Sequence, residues 1–319
     1  MCAIFGFLDY GRMVPHKVLT KLLRELSVAA ECRGTDATGI SYVNNGKMVT
    51  FKKAKPAHKV NLYFPKGTTA VIGHTRFTTQ GSEKQNYNNH PFEGNVSDYG
   101  FALAHNGVLY NDHKLRQEMN LPDTVIETDS YIAVQLLEQL NAVDEESLRS
   151  VAETVTGNFV FTVLRSDNTL FLVKGDNPLT IVHFPMLGLY VYASTQSILL
   201  EALKAVRLYD RYETVDAADG NIVKICATGE VSVTTFDMAF PFFYPIYSRK
   251  SIATDLEEFD YYDDLLMFCG YFGVDENDVN LLLEYGYSAD EIEEMLLDDD
   301  FLHEALAEIK EVTGDGYGE

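Results

Sequence analysis

Basic residues are scarce in this chain of 319 residues. Lys and Arg number 25 against 48 Asp and Glu, a net charge of −23. A surface of that sign repels phosphate, which argues against nucleic-acid and anionic-membrane binding. Apolar runs of transmembrane length are missing, and Met-Cys-Ala lacks the basic stretch of a secretory leader, so a reducing cytoplasm is the default expectation. Cysteine is limited to Cys2, Cys32, Cys226 and Cys269. They are too far apart for a CxxC pair or zinc spacing, so no metal site is expected. There is no glycine-rich phosphate loop, internal repeat or low-complexity linker, and no cofactor is implied.

What is present is a globular composition, 46% hydrophobic and 12% aromatic, long enough to bury a sizeable core. Residues 2–8 read as a buried strand. Pro15 suits a first helical turn, and Val18, Leu19, Leu22, Leu23 and Leu26 predict an amphipathic helix over 16–31. Asn44-Asn45-Gly46 joins Thr38–Val43 to Lys47–Lys52 as a hairpin. Ala70–Gly73 runs into His74-Thr75-Arg76-Phe77, followed by a polar loop closed by His90-Pro91-Phe92. Phe101–Ala104 runs into His105-Asn106-Gly107, where the last pair alone would suit a tight turn. Thr128 is placed as the N-cap of a second helix. From Asn158 short strands dominate, interrupted by a helix over Gln196–Val206. The alternation predicts an α+β fold, a four-layer αββα sandwich of two antiparallel sheets. Composition turns acidic near Pro241–Pro245. That boundary predicts a main domain over 1–240 and an acidic helical extension over 241–319 packed on it, its helices broken at Tyr285–Ser288 and at Asp298–Asp300.

The opening Met-Cys-Ala-Ile-Phe-Gly-Phe carries the most chemistry. Removal of Met1 would put a thiol and a free α-amine on Cys2, with ordinary pKa values near ~8.5 and ~8, close enough to exchange a proton. The alternative is an ordinary buried cysteine.

Five stretches, in order, decide between these readings: Met1–Gly6, Arg33–Gly39, Gly73–Phe77, His105-Asn106-Gly107 and Glu127-Thr128-Asp129. Together they resemble the class II glutamine amidotransferase domain of the N-terminal nucleophile hydrolases, over residues 1–240. The resemblance implies that Cys2 attacks the glutamine carboxamide and that Asn106 and Gly107 form the oxyanion hole. It places the substrate carboxylate on Arg76 and its ammonium on Asp129, with Arg33, Asp36, Thr79 and Gly81 ordering or lining the pocket. Arginine suits a carboxylate because its planar fork makes two parallel charge-assisted bonds. Ala3, Phe77 and Gln80 depart from the residues usual in the family. His74 and His105 are expected to be structural, because the α-amine already serves as base. No acceptor domain follows, so the ammonia would pass to a separate acceptor protein or into solution. Other N-terminal-cysteine amidases and a non-catalytic scaffold remain the alternatives, and the sequence leaves the oligomeric state open.

Overall fold

Strand β1 (Ala3–Asp9) sends its side chains into two different cores. Ala3, Phe5 and Phe7 pack beneath helices, while Ile4 and Leu8 face a second sheet. A strand buried on both faces reads as an unbroken apolar run, which is the pattern of residues 2–8. The computed structural model describes residues 2–238 and, beyond them, 266, 269, 274–287, 292, 302, 305–307, 309 and 310.

After β1 the chain forms α1 (His16–Ala29), β2 (Ala37–Asn44), β3 (Lys47–Lys53), β4 (Ala70–Arg76), β5 (Phe92–Asn95) and β6 (Gly100–Leu109). Three helices follow, α2 (Asp112–Glu118), α3 (Tyr131–Leu140) and α4 (Glu145–Thr154). Next come β7 (Gly157–Arg165), β8 (Leu170–Lys174), β9 (Thr180–Phe184) and β10 (Leu189–Ala193). The unit closes with α5 (Gln196–Val206), β11 (Glu213–Val215), β12 (Asn221–Ile225) and β13 (Val231–Thr235). One sheet has the order β11-β9-β10-β1-β4-β2-β3 and the other β13-β12-β8-β7-β6-β5. Every recorded pairing is antiparallel.

Three cores separate four layers. Leu22, Leu23 and Leu26 of α1 and Leu199 and Leu203 of α5 cover the first sheet. Ile132 and Leu137 of α3 and Leu148 and Val151 of α4 cover the second. Between the sheets lie Ile4, Ile72, Ala104, Val160 and Leu172. This is the expected αββα sandwich. Its inner layer joins strands distant in sequence, so β1, β4 and β6 come together although about 100 residues of chain separate the first from the last.

Local details follow the sequence in places and depart from it in others. Asn45 and Gly46 both take positive φ, +51° and +73°, as a two-residue hairpin turn requires. Asn106-Gly107, which would suit a turn, instead continues β6 and pairs with Val160 and Phe159 of β7. Thr128 is not the cap of α3: that helix starts at Tyr131, after Ser130, whose side chain makes no capping bond. The polar side chains before α3 turn inward, and one of them, Asp129, bonds inside the protein. Helix α4 was not expected, although Asp144 and Ser147 form a reciprocal capping box at its start.

Residues Phe242–Glu319 form a second contact unit. Its described helix, α6 (Glu276–Tyr285), starts at Asp275, whose carboxylate accepts the Asp278 amide at 2.9 Å, and ends at Gly286 with φ +107°. Val279 and Leu282 share its core with Cys269, Ile292 and Leu302. The break expected at Tyr285–Ser288 thus falls on Gly286, where glycine meets the left-handed φ that stops a helix. The break expected at Asp298–Asp300 lies outside the described residues.

Candidate active site

Cys2 stands one residue ahead of β1, where Ala3 pairs with Thr75 of β4. The Phe77 amide donates to Cys2 Sγ at 3.4 Å, and the thiol faces the Phe77 carbonyl at the same distance. Arg33 Nε donates to the Cys2 carbonyl at 2.7 Å. Asp36 binds the segment beyond β4: its amide donates to the Arg76 carbonyl at 2.9 Å, and its carboxylate accepts the Thr78 amide at 2.8 Å. Gly34 lets this turn approach closely, since a Cβ there would lie 2.5 Å from the Arg76 carbonyl carbon. The Arg33–Asp36 turn therefore fixes the nucleophile's backbone, and Arg33 does not line the pocket. Burial pushes the Cys2 thiol pKa up, opposed by the Phe77 amide and the Arg76 charge. The thiol therefore rests protonated and needs a base close by.

The opposite wall is β6. Gly107 has φ +146°, and a Cβ there would sit 1.8 Å from the Asn158 carbonyl oxygen. No other residue fits without moving β7. The Asn106 side chain is buried and its Nδ2 has no hydrogen-bond partner, while its backbone carbonyl accepts from Asn177 Nδ2 at 3.0 Å. A buried amide donor left unpaired costs on the order of 1–3 kcal/mol, so this donor is free to take an acceptor.

Arg76 and Asp129 are held by their own surroundings. Arg76 donates to Asn89 Oδ1 at 2.7 Å, to the Gln80 carbonyl at 2.5 Å and to the Gly81 carbonyl at 3.0 Å. The Asp129 carboxylate accepts the Leu109 amide at 2.7 Å and the Ser130 hydroxyl at 3.2 Å. Gln80 ties the two together, because its side-chain oxygen also accepts the Asp129 amide at 2.8 Å. His105 Nδ1 lies 2.8 Å from Ser130 Oγ. His74 Nε2 donates to the His105 carbonyl at 2.9 Å, and burial drives the His74 pKa down to about 3. Both histidines are thus braces in a neutral form.

These groups surround a cavity of about 10 Å³ lined by Cys2, Arg76, Thr79, His90, Gly107 and Asp129, among others. It holds about one water, so an amino acid enters only if part of this lining shifts. A larger cavity, about 240 Å³, lies between α5, β9 and β11 and presents no cysteine, histidine or arginine. Of the residues expected at the site, Cys2, Arg76, Thr79, Gly107 and Asp129 line the small cavity, and Asn106 adjoins Gly107. Gln80, His90, Thr128 and Ser130 also line it and were not assigned roles in it from sequence. Their signal was position alone, beside Arg76 and Asp129. Among the described residues no cluster of His, Cys, Asp or Glu could hold a metal, and no helix is long and apolar enough to cross a membrane.

A sandwich of two antiparallel sheets with a cysteine at the head of a central strand is the arrangement of the N-terminal nucleophile class. Residues 74–201 match the glutamine amidotransferase domain family. The chain is 31% identical to glutamine–fructose-6-phosphate aminotransferase (isomerizing) of Bacillus subtilis strain 168 over 190 residues, 57% of this chain and 30% of that protein. It is 29% identical to the corresponding enzyme of Staphylococcus aureus strain Mu50 over 246 residues, 70% of this chain and 38% of that one. The chain thus spans roughly a third of the length of these relatives. In fold it is similar to the glutamine phosphoribosylpyrophosphate amidotransferase of B. subtilis, with a TM-score of 0.57, 21% identity, and coverage of 75% of this chain and 50% of that one. The chain carries a class II glutamine amidotransferase domain, an enzyme domain of the N-terminal-nucleophile type.

Proposed function

We propose that this domain hydrolyses the side-chain amide of glutamine through a Cys2 thioester and passes the ammonia to a separate acceptor protein or to solution. Cys2 Sγ forms a bond to the carboxamide carbon, and the C–N bond breaks. The Cys2 α-amine takes the thiol proton and delivers it to the departing nitrogen, which leaves as ammonia. Water then cleaves the γ-glutamyl thioester to glutamate and restores the thiol. The observation that carries this reading is the pair Asn106-Gly107, a buried and unpaired side-chain donor next to a glycine that lines the Cys2 cavity and that no other residue can replace. Such a pair serves an oxyanion that exists only during reaction.

In this reading Arg76 and Asp129 hold the carboxylate and ammonium of the substrate, which selects a zwitterionic amino acid. Thr79 lines the pocket and Arg33 acts through the backbone of Cys2. The amine must be free, so cleavage ahead of Cys2 is part of the proposal; Met1 itself lies outside the described residues. A thiol nucleophile must stay reduced, which favours a cytoplasmic setting. The acidic region over 241–319 is proposed as an extension separate from catalysis.

The test is ammonia release from glutamine by protein whose Cys2 amine is shown free by intact mass. We expect release to fall at least about 10³-fold in Cys2→Ala, and expect a glutamine-analogue diazoketone to label Cys2. Protein with a free Cys2 amine that neither releases ammonia nor is labelled would overturn the proposal. It would favour a second reading, a non-catalytic scaffold, to which one observation points: Arg76 and Asp129 already have protein partners.

A further inference from the structure

His90 is a buried side chain with no role so far. It is 4% exposed, and neither ring nitrogen has a hydrogen-bond partner. Its ring lies tilted against His74 at 4.2 Å and edge-on to Phe92 at 4.4 Å, centroid to centroid, and it forms part of the wall of the Cys2 cavity. A neutral imidazole carries one donor and one acceptor. Leaving both unmet in a low-dielectric interior is costly, so the ring is built to meet something that enters the cavity.

The surroundings say what. Lys52 Nζ donates to the Asn89 carbonyl at 2.6 Å and the Pro91 carbonyl at 3.2 Å, and lies 4.8 Å from the centre of the Phe92 ring. Arg76, Lys52, His74 and His105 are the titratable groups that act on His90. Two of them are cations, and burial together with those cations keeps the imidazole uncharged. A positive corner with an unmet N–H suits an anion, and the anionic part of an amino-acid substrate is its carboxylate. Arg76 has three of its hydrogen bonds committed to Gln80, Gly81 and Asn89, so a carboxylate there gains from a further donor.

We propose that His90 donates a ring N–H to the α-carboxylate of the bound amino acid, beside Arg76. This rests on the glutamine reading above and deepens it. The ring contacts with His74 and Phe92 fix the orientation, and Lys52 fixes the backbone on either side. The loop that supplies His90 also supplies Asn89 to Arg76, so the two donors are ordered together.

The test compares wild type, His90→Phe and His90→Asn on L-glutamine and on L-glutamine α-amide, which lacks the carboxylate. His90→Phe keeps an aromatic ring against His74 and Phe92 and removes the donor; His90→Asn keeps an N–H. We expect His90→Phe to raise KM for L-glutamine roughly ten- to hundredfold, the range of a hydrogen bond to a charged group. On the α-amide its kcat/KM should stay within about twofold of wild type, and His90→Asn should recover part of the loss on L-glutamine. Equal losses on both substrates, or none on L-glutamine, would overturn the proposal. A second readout separates this from failure of the catalytic reading: calorimetric binding of L-glutamate to Cys2→Ala with and without His90→Phe. Binding weakened at least tenfold by His90→Phe, together with wild-type protein whose free Cys2 amine does not hydrolyse glutamine, would sink the catalytic reading and keep this one. Binding of L-glutamate that is absent or unaffected by His90→Phe overturns it.

Discussion

Arg76 and Asp129, which line the 10 Å³ cavity, and the pair Asn106 and Gly107, of which Gly107 lines it, differ in how their polar atoms are met. The first pair has its polar atoms met by Gln80, Gly81, Asn89, Leu109 and Ser130. The second offers Asn106 Nδ2, which meets nothing. The difference bears on when each pair acts. A satisfied cation trades one set of partners for another when substrate binds, a near-neutral exchange that adjusts affinity. An unsatisfied buried donor gains most when charge develops on the atom it faces, an interaction realised in the transition state and seen in kcat.

Substitutions on the two sides should therefore separate kinetically. Asn106→Ala should lower kcat on glutamine by about 10²–10³, with KM within about threefold, because one oxyanion donor is worth roughly 3 kcal/mol. Its urea midpoint should not fall, since Nδ2 loses no bond and an unpaired buried donor is removed. A loss confined to KM would collapse the contrast. Gly107→Ala attacks the same wall through the backbone, forcing a Cβ against the Asn158 carbonyl at positive φ. We expect about 3 kcal/mol of destabilisation by urea titration; a stable, active variant would show that β7 yields easily.

Acid should act through the braces common to both sides. His74 stays neutral in the fold until about pH 3, whereas the unfolded chain protonates it near its usual value of 6.5. Below that value the unfolded state binds more protons, so stability falls as pH drops from about 6.5 towards 3. The slope is up to ~1.4 kcal/mol per pH unit for this one group. Burial shifts His90 and His105 in the same direction. Urea midpoints across that range, in wild type and His74→Gln, measure it, and a flat wild-type profile would contradict the assignment. The smallest effect is expected on the satisfied side. Gln80→Ala should raise KM for glutamine about tenfold with kcat nearly unchanged, because it unties Arg76 from Asp129 without touching the reacting atoms. An equal fall in kcat would place Gln80 among the groups acting in the transition state.

The parts legible in sequence were those whose signal is local. Residues 2–8 read as a buried strand, Asn45-Gly46 as a hairpin turn, and Gln196–Val206 as a helix, because apolar period and turn chemistry are properties of neighbours along the chain. Helix α4 was missed because few of its positions are apolar; its capping box was the available clue. Asn106-Gly107 has the composition of a turn, yet pairing with β7 extends the strand through it. Thr128 looks like a cap, yet its Oγ1 is buried without a partner beside the cavity, and Ser130 precedes α3.

The sequence by itself determined the layer architecture, and through its family resemblance it named the residues proposed here as nucleophile, clamps and oxyanion pair. It did so because burial patterns and reactive side chains are written residue by residue. Only the tertiary structure decided which polar groups are already spent. That Arg33 grips the Cys2 backbone, that Gln80 bridges Arg76 and Asp129, and that Asn106 and His90 are left unpaired depends on bonds between residues up to 49 positions apart. A hydrogen bond is satisfied or not by geometry in three dimensions, and no pattern along the chain records it.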